Sequence, residues 1–335
     1  MSSTHELGIV VGVDGSPSSM AAVEWAARDA AMRNVPLSVI HVVAPIVVGT
    51  PDAVPPDYSQ LQEEAAQSII EQAHRVAVAA APSHEGEIST EILHAQPVPA
   101  MVELSRRALM VAVGCRGQGA VEQALMGSVS AGIAHHAHCP VAIIHQHPPD
   151  GTPAPDAPVV VGIDGSPASE EATGIAFDEA SRRGVDLVAL HAWSDMGPIE
   201  FASANWAPIE WRNIKDAEEE VLAERLSGWR ERYPDVPVHK IVVCDRPGLR
   251  LLEQAERAHL VVLGSHGRGG FAGMLLGSVC SAVVHNAGVP VIIARPPRTG
   301  LTPPHYRRVF AARNSGGGAC GRRTMVVWVP RLMSV

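Results

Sequence analysis

The chain has 335 residues, 26 Lys and Arg against 35 Asp and Glu, and 46% apolar side chains with only 4% aromatic ones. Seven of the arginines fall in residues 298–335, a stretch without Asp or Glu, which leaves 19 basic against 35 acidic groups over residues 1–297. At roughly 100 to 200 residues per domain the length suggests two domains, and so acidic a body argues against duplex nucleic acid or an anionic membrane as partner, since both need clustered Lys and Arg.

Near the N-terminus, the apolar run Ile9-Val10-Val11 is too short for a signal peptide, has no basic segment before it and is soon interrupted by Asp14. No run of 18 apolar residues occurs, so the sequence predicts a cytoplasmic protein without a membrane partner. The predicted strands of the first half are Ile9 to Val13, Leu37 to Val42, Glu87 to Leu93, Leu109 to Val113 and Val141 to Ile144. Several are apolar throughout, as a sheet covered on both faces requires. Pro17 to Arg33 carries Ala22, Val23, Ala26, Ala27, Ala30 and Ala31 at helical spacing, with Ser16 as N-cap and Pro17 in the first turn. Leu61 to Ala80, Pro99 to Ala108 and Ser128 to His136 are the other predicted helices. Cys115, Cys139, Cys244, Cys280 and Cys320 form an odd set without a C-x-x-C pair, so neither a disulfide framework nor a thiolate zinc site is predicted.

The whole pattern then repeats. An offset of 150 residues superposes Val10-Val11-Gly12-Val13-Asp14-Gly15-Ser16-Pro17 on Val160-Val161-Gly162-Ile163-Asp164-Gly165-Ser166-Pro167 without a gap. The same offset matches His41 with His191, Gly114 with Gly264, Gly127-Ser128-Val129 with Gly277-Ser278-Val279, and Pro140-Val141 with Pro290-Val291. Two copies without a third indicate a duplicated domain, not a solenoid. The first domain is expected over 1–147, a proline-rich linker over 148–158, the second domain over 159–296, and a disordered, dispensable basic tail over 297–335. Each copy alternates strands and helices, which predicts an α/β fold with right-handed crossovers and an open, doubly wound parallel sheet of strand order 3-2-1-4-5, helices on both faces.

In such a sheet ligands bind at the carboxyl ends of the strands where the winding reverses, here between strands 1 and 4. After strand 4 the first copy reads Gly114-Cys115-Arg116-Gly117-Gln118-Gly119 and then Gly127-Ser128. The second reads Gly264-Ser265-His266-Gly267-Arg268-Gly269 and then Gly277-Ser278, so both fit G-x2-G-x9-G-[ST]. Glycines there are expected to turn with φ > 0 and to let backbone N–H groups approach a ligand. A Gly-Ser pair opening a helix favours a phosphate through its free N–H groups and dipole. Asp14 and Asp164, at the ends of their strands and facing that loop, suit a ribose or adenine contact better than a capping role alone.

At these residues the chain resembles the universal stress proteins, in particular the tandem-domain, ATP-binding type found in actinobacteria and mycobacteria. The resemblance covers residues 8–146 and 158–295. It implies two Rossmann-like domains of the adenine nucleotide alpha hydrolase-like kind, ATP at each motif with magnesium accompanying it, and domains paired through their fifth strands. It further implies that Asp14 contacts the ribose or adenine side and the Val42 backbone the adenine, with Gly114, Gly117, Gly127, Ser128, Val129 and Ser130 lining the ribose and phosphates. In the second copy the matching set is Asp164, Ala192, Gly264, Gly267, Gly277, Ser278 and Val279. Cys280 stands where Ser130 does, weakening a phosphate contact in the second copy. Gln118 stands where Arg268 does, so the first copy is expected to lack a cation beside its loop.

His135-His136-x-His138-Cys139 has metal-ligand residue types without a standard zinc spacing, and no metal site is expected there. Ser194 to Asn213, with Trp206 and Trp211, lacks periodicity and is expected to be a surface loop more than a ligand lid. Glu218-Glu219-Glu220 reads as a solvated helix face. Three function classes compete. A regulatory protein whose ATP occupancy controls conformation or partners in stress leads, and a slow ATPase or other ATP-using enzyme on the same fold is the alternative. The chain lacks G-x4-G-K-[ST], S-G-G-x-D-S and a placed catalytic carboxylate, so no catalytic residue is assigned. A dehydrogenase would need G-x-G-x-x-G after strand 1, where Gly12-Val13-Asp14-Gly15-Ser16-Pro17 stands instead. Apolar fifth strands that need covering lead to the expectation of a homodimer.

Overall fold

Strands β1 (Ile9–Val13), β2 (Leu37–Val43), β3 (Ile88–His94), β4 (Met110–Gly114) and β5 (Val141–Ile144) come from the first copy. From the second come β6 (Val159–Gly162), β7 (Leu187–Ala192), β8 (Val238–Val243), β9 (Leu260–Gly264) and β10 (Val291–Ala294). The computed structural model describes residues 6–45, 58–117, 126–145, 154–193, 208–268 and 276–295. Gln118, Trp206, Cys320, most of the linker and the tail lie outside the described residues.

The ten strands make one sheet, ordered β3-β2-β1-β4-β5-β10-β9-β6-β7-β8. Each half is the expected parallel sheet of order 3-2-1-4-5, and the halves join where β10 pairs antiparallel with β5, Ile292 opposite Ala142. Both fifth strands are therefore flanked on each side inside one chain. The hydrophobic β1 alternates between two cores: Ile9, Val11 and Val13 pack with Ala22, Val23 and Ala26 on one face, and Val10 packs with Met101 and Ile133 on the other. Burial on both faces explains why these strands are apolar runs without polar alternation.

The helices are α1 (Pro17–Arg33), α2 (Tyr58–Ala80), α3 (Pro97–Leu104), α4 (Ser128–His136), α5 (Pro167–Arg183), α6 (Pro208–Arg232), α7 (Pro247–Ala255) and α8 (Ser278–Asn286). The Ser16 hydroxyl caps α1 by accepting from Ser19 N–H at 3.2 Å, and Ser166 caps α5 in the same way. α1 stops at Asn34 and α5 at Gly184, each in the left-handed conformation that ends helices. α6 begins at Pro208, so the end of the stretch expected to be an irregular loop, Pro208 to Asn213, is helical.

α1 and α5 meet across the junction through an ion cluster that obeys the 150-residue offset. Arg33 Nε lies 2.7 Å from Asp29 Oδ2, and Arg183 Nη2 lies 2.9 Å from Glu179 Oε2. Across the junction Arg33 pairs with Glu179 and with Asp178, the latter at 2.9 Å, while Arg183 reaches Asp29 at 3.3 Å. The Asp29 and Glu179 side chains are 0% exposed. On the other face of the sheet, His145 crosses from the first copy to the Val284 and Val289 carbonyl oxygens at 2.9 and 3.1 Å, the former in the last turn of α8, where a donor is favoured.

Candidate functional site

Two clefts open at the carboxyl ends of β1 and β4 and of β6 and β9, of about 500 and 600 Å³. The first brings together Asp14, Val42, Gly114, Gly117, Gly127, Ser128, Val129 and Ser130. In the second are Asp164, Ala192, Gly264, Gly267, Gly277, Ser278 and Val279. Every residue that the resemblance assigns to a nucleotide thus lines one cleft or the other.

The β1 end is fixed by a turn. Gly15 and Gly165 adopt φ of +83° and +78°, turning each chain from strand to helix. Among the described residues the loop glycines do not share this conformation, and Gly127 and Gly277 have φ near −68°. The expectation that the loop glycines turn with φ > 0 is therefore corrected: they are small because something lies close. A Cβ on Gly114 would meet the Ser18 backbone at 2.6 Å, and one on Gly264 the Ala168 backbone at 2.8 Å, so these two let the first helix pass over the fourth strand. A Cβ on Gly117 or Gly267 would lie 2.5 Å from the carboxylate of Asp14 or Asp164.

Those carboxylates are held in place. Asp14 Oδ1 accepts from Ser16 N at 3.0 Å and from Ser16 Oγ at 2.6 Å. Asp164 accepts from Ser166 N at 2.9 Å and from Arg268 N at 3.0 Å. Burial acts to raise the Asp164 pKa, but the hydrogen bonds from Ser166, Ser169 and Arg268 outweigh it and hold the carboxyl below its usual value. Its stabilising effect is present above the ordinary carboxylate range and is lost as pH falls through the lowered value.

α4 and α8 point their N-termini into the clefts from glycine N-caps that supply no side-chain hydrogen bond, so first-turn N–H groups face the cavity without an intrahelical acceptor. Ser130 donates its hydroxyl hydrogen to the Gly114 carbonyl at 2.6 Å, which commits that donor to the protein. At the matching place Cys280 is a buried thiol whose pKa burial pushes up to about 12, so it stays neutral. Arg116 lines the first cleft and Arg268 the second. The first copy therefore has a cation at its loop after all, two positions before Gln118, and the expectation that it lacks one is corrected.

The same constellation stands in both halves, and one family model matches both. The model described as "Universal stress protein family" matches residues 8–145 and again 157–295. The chain belongs to this family. This universal stress protein is 58% identical over 311 residues to a universal stress protein of Mycobacterium tuberculosis, covering 89% of this chain and 98% of the relative. Another from the same organism is 48% identical over 297 residues, covering 88% and 98%. Among solved structures, a universal stress protein from Archaeoglobus fulgidus has the same fold with a TM-score of 0.65 at 21% identity, over 87% of this chain and 99% of that one.

Among the residues of the second cleft that sequence reasoning missed are Glu218 and Trp193. Glu218, read as part of a solvated face, lines the cleft and lies 3.0 Å from His191 Nε2, while Glu219 and Glu220 are exposed. Trp193, one residue beyond β7, also lines it. His191 itself is tied by Nδ1 to the Ile163 carbonyl at 2.6 Å, as His41 is to that of Val13 at 2.8 Å, so both histidines pin strand 2 of their copy to strand 1. Among the described residues no three His, Cys, Asp or Glu side chains are grouped to hold a metal ion, and no helix is long and apolar enough to cross a membrane.

Proposed function

We propose that this universal stress protein binds ATP in both clefts and acts as a cytoplasmic regulator, with nucleotide occupancy controlling its conformation or partners under stress. The observation that carries the reading is the joint geometry of each cleft: an uncapped helix N-terminus, a glycine loop in which a side chain has no room, and a fixed aspartate one strand away. The first-turn N–H groups suit phosphate and the loop cation adds to them. The aspartate offers an acceptor for a ribose hydroxyl. The cleft volumes fall within the range of small-ligand sites. Magnesium would enter with the triphosphate. Mass spectrometry of the ligand released on denaturing purified protein is expected to find adenine nucleotide. A protein that releases none and, once folded, binds no added ATP would sink the reading.

The homodimer is proposed through helical faces, since the pairing of β5 with β10 leaves no fifth-strand edge for a second chain. Light scattering is expected to give twice the 35.3 kDa chain mass; a particle of one chain mass at working concentration would refute the dimer and leave the internal pairing intact.

A further inference from the structure

The two clefts are built to one plan but differ at the end away from the helix N-terminus. In the second cleft that end is formed by His191, Ala192 and Trp193 at the end of β7, and by Glu218 from α6. The 150-residue offset puts Val43 where Trp193 stands, but α2 and α6 end at Ala80 and Arg232 and match Ala81 with Tyr233, an offset of 152 that puts Ala66 where Glu218 stands. Ala66 is buried, has no polar side-chain atom and does not line the first cleft.

His191 is almost wholly buried, its side chain 4% exposed. A backbone carbonyl can only accept, so the Nδ1 facing Ile163 carries a hydrogen. Nε2 then faces a carboxylate oxygen. Either His191 bears both protons and Glu218 is ionised, or Glu218 holds the proton and donates it to Nε2. In both arrangements Glu218 Oε2 is committed to His191, and the other oxygen remains an acceptor at the cleft. The Glu218 carboxyl is thereby oriented by a residue that is itself fixed to the sheet.

The distance across the sheet says what that acceptor meets. Neighbouring strands are about 4.8 Å apart, and β7 lies beyond β6 from β9, so the β7 end is roughly 10 Å from the phosphate cradle. With phosphates at α8 and ribose over Asp164 at β6, the part of a nucleotide that reaches β7 is the base. A carboxylate or carboxyl oxygen there accepts from a base that carries a hydrogen-bond donor.

We propose that Glu218, positioned by His191, reads the exocyclic amino group of an aminopurine nucleotide in the second cleft, a specificity determinant that the first cleft lacks among the described residues. The inference rests on the clefts being nucleotide sites. A site built to bond a donor rejects the analogue without it because its acceptor is left unpaired.

The test is calorimetry on nucleotide-stripped full-length chain with ATP and with purine riboside triphosphate, in which hydrogen replaces the amino group. In the unaltered protein the analogue is expected to lose about tenfold more affinity at one site than at the other. Glu218→Ala leaves the buried His191 Nε2 without its partner and should lower the melting temperature modestly; in protein shown to be folded by circular dichroism it is expected to lower ATP affinity at that site to that of the analogue. Binding of the analogue itself should not change. Equal losses at both sites in the unaltered protein would overturn the inference, as would a Glu218→Ala change that weakens both nucleotides alike. Those outcomes leave ATP binding standing, whereas folded protein that binds neither nucleotide overturns the nucleotide reading and this inference together.

Discussion

With Gly117 and Gly267 both replaced by alanine, calorimetry on nucleotide-stripped protein is expected to find no ATP site, and with either replaced alone, one site per chain in place of two. The new Cβ would lie 2.5 Å from Asp14 Oδ2 or Asp164 Oδ2, closer than nonbonded atoms approach, so the loop or the carboxylate must move. The carboxylate is not free to swing, because Asp14 is held by two bonds from Ser16 and Asp164 by Ser166 and Arg268. The loop therefore shifts, and with it the N–H groups that would meet phosphate. Each charge-assisted hydrogen bond is worth about 1.5–3 kcal/mol, so losing two takes affinity down by at least a hundredfold. Gly127→Ala is the contrasting variant: its Cβ would sit 3.5 Å from the Gly117 nitrogen and the Cys115 oxygen, in ordinary contact. It should fold with only the loss of about 1 kcal/mol that alanine brings to an N-cap. Full ATP stoichiometry in the folded double variant of Gly117 and Gly267 would remove these loops from the site.

What could be read from the sequence was whatever the duplication states twice. The offset of 150 marked both clefts, because the glycine loop, the aspartate turn and the helix-opening Gly-Ser pair recur at fixed spacing, while the strand order followed from the alternation of strands and helices. Element ends were less legible. α3 starts at Pro97, not Pro99, and ends at Leu104, not Ala108, since either proline fits a first turn and the residues after Leu104 turn without continuing the helix. Glu218 was illegible for a different reason. Three consecutive glutamates look alike in a sequence, and only the packing of α6 against the sheet decides that one of them faces His191. The charges of α1 and α5 also look like solvated last turns. The offset aligns Arg33 with Arg183 and Asp29 with Glu179, but no rule of helical spacing says that two such turns will be pressed together. That contact follows from the antiparallel pairing of β5 with β10, which joins the two halves edge to edge about a local two-fold relation.

Replacing Arg33 by methionine is expected to lower the unfolding free energy by about 3–5 kcal/mol, the cost of leaving buried carboxylates without their cation. Arg33 pairs with Asp29, Asp178 and Glu179 at once, and two of the three are fully buried. The carboxylates of the cluster should not respond alike. Burial raises the Asp29 pKa, and burial together with the charge of Glu179 outweighs the lowering by Arg33 and Arg183. Burial acts on Glu179 too, but Arg33 and Arg183 outweigh it and hold that carboxyl below the usual glutamate value. Glu179 thus contributes stability that is present above the ordinary carboxylate range and disappears as pH falls through its lowered value. The charge of Asp29 instead subtracts from stability at neutral pH, and acid relieves that penalty as pH falls through its raised value. It follows that Asp29→Asn should be tolerated better than Glu179→Gln at pH 7, with the gap narrowing in acid. Urea unfolding of the three variants measures this, and because the cluster joins the two halves, Arg33→Met should also begin to separate their transitions. A Glu179→Gln variant as stable as the parent at pH 7 would mean that the cluster orients the halves without holding them together.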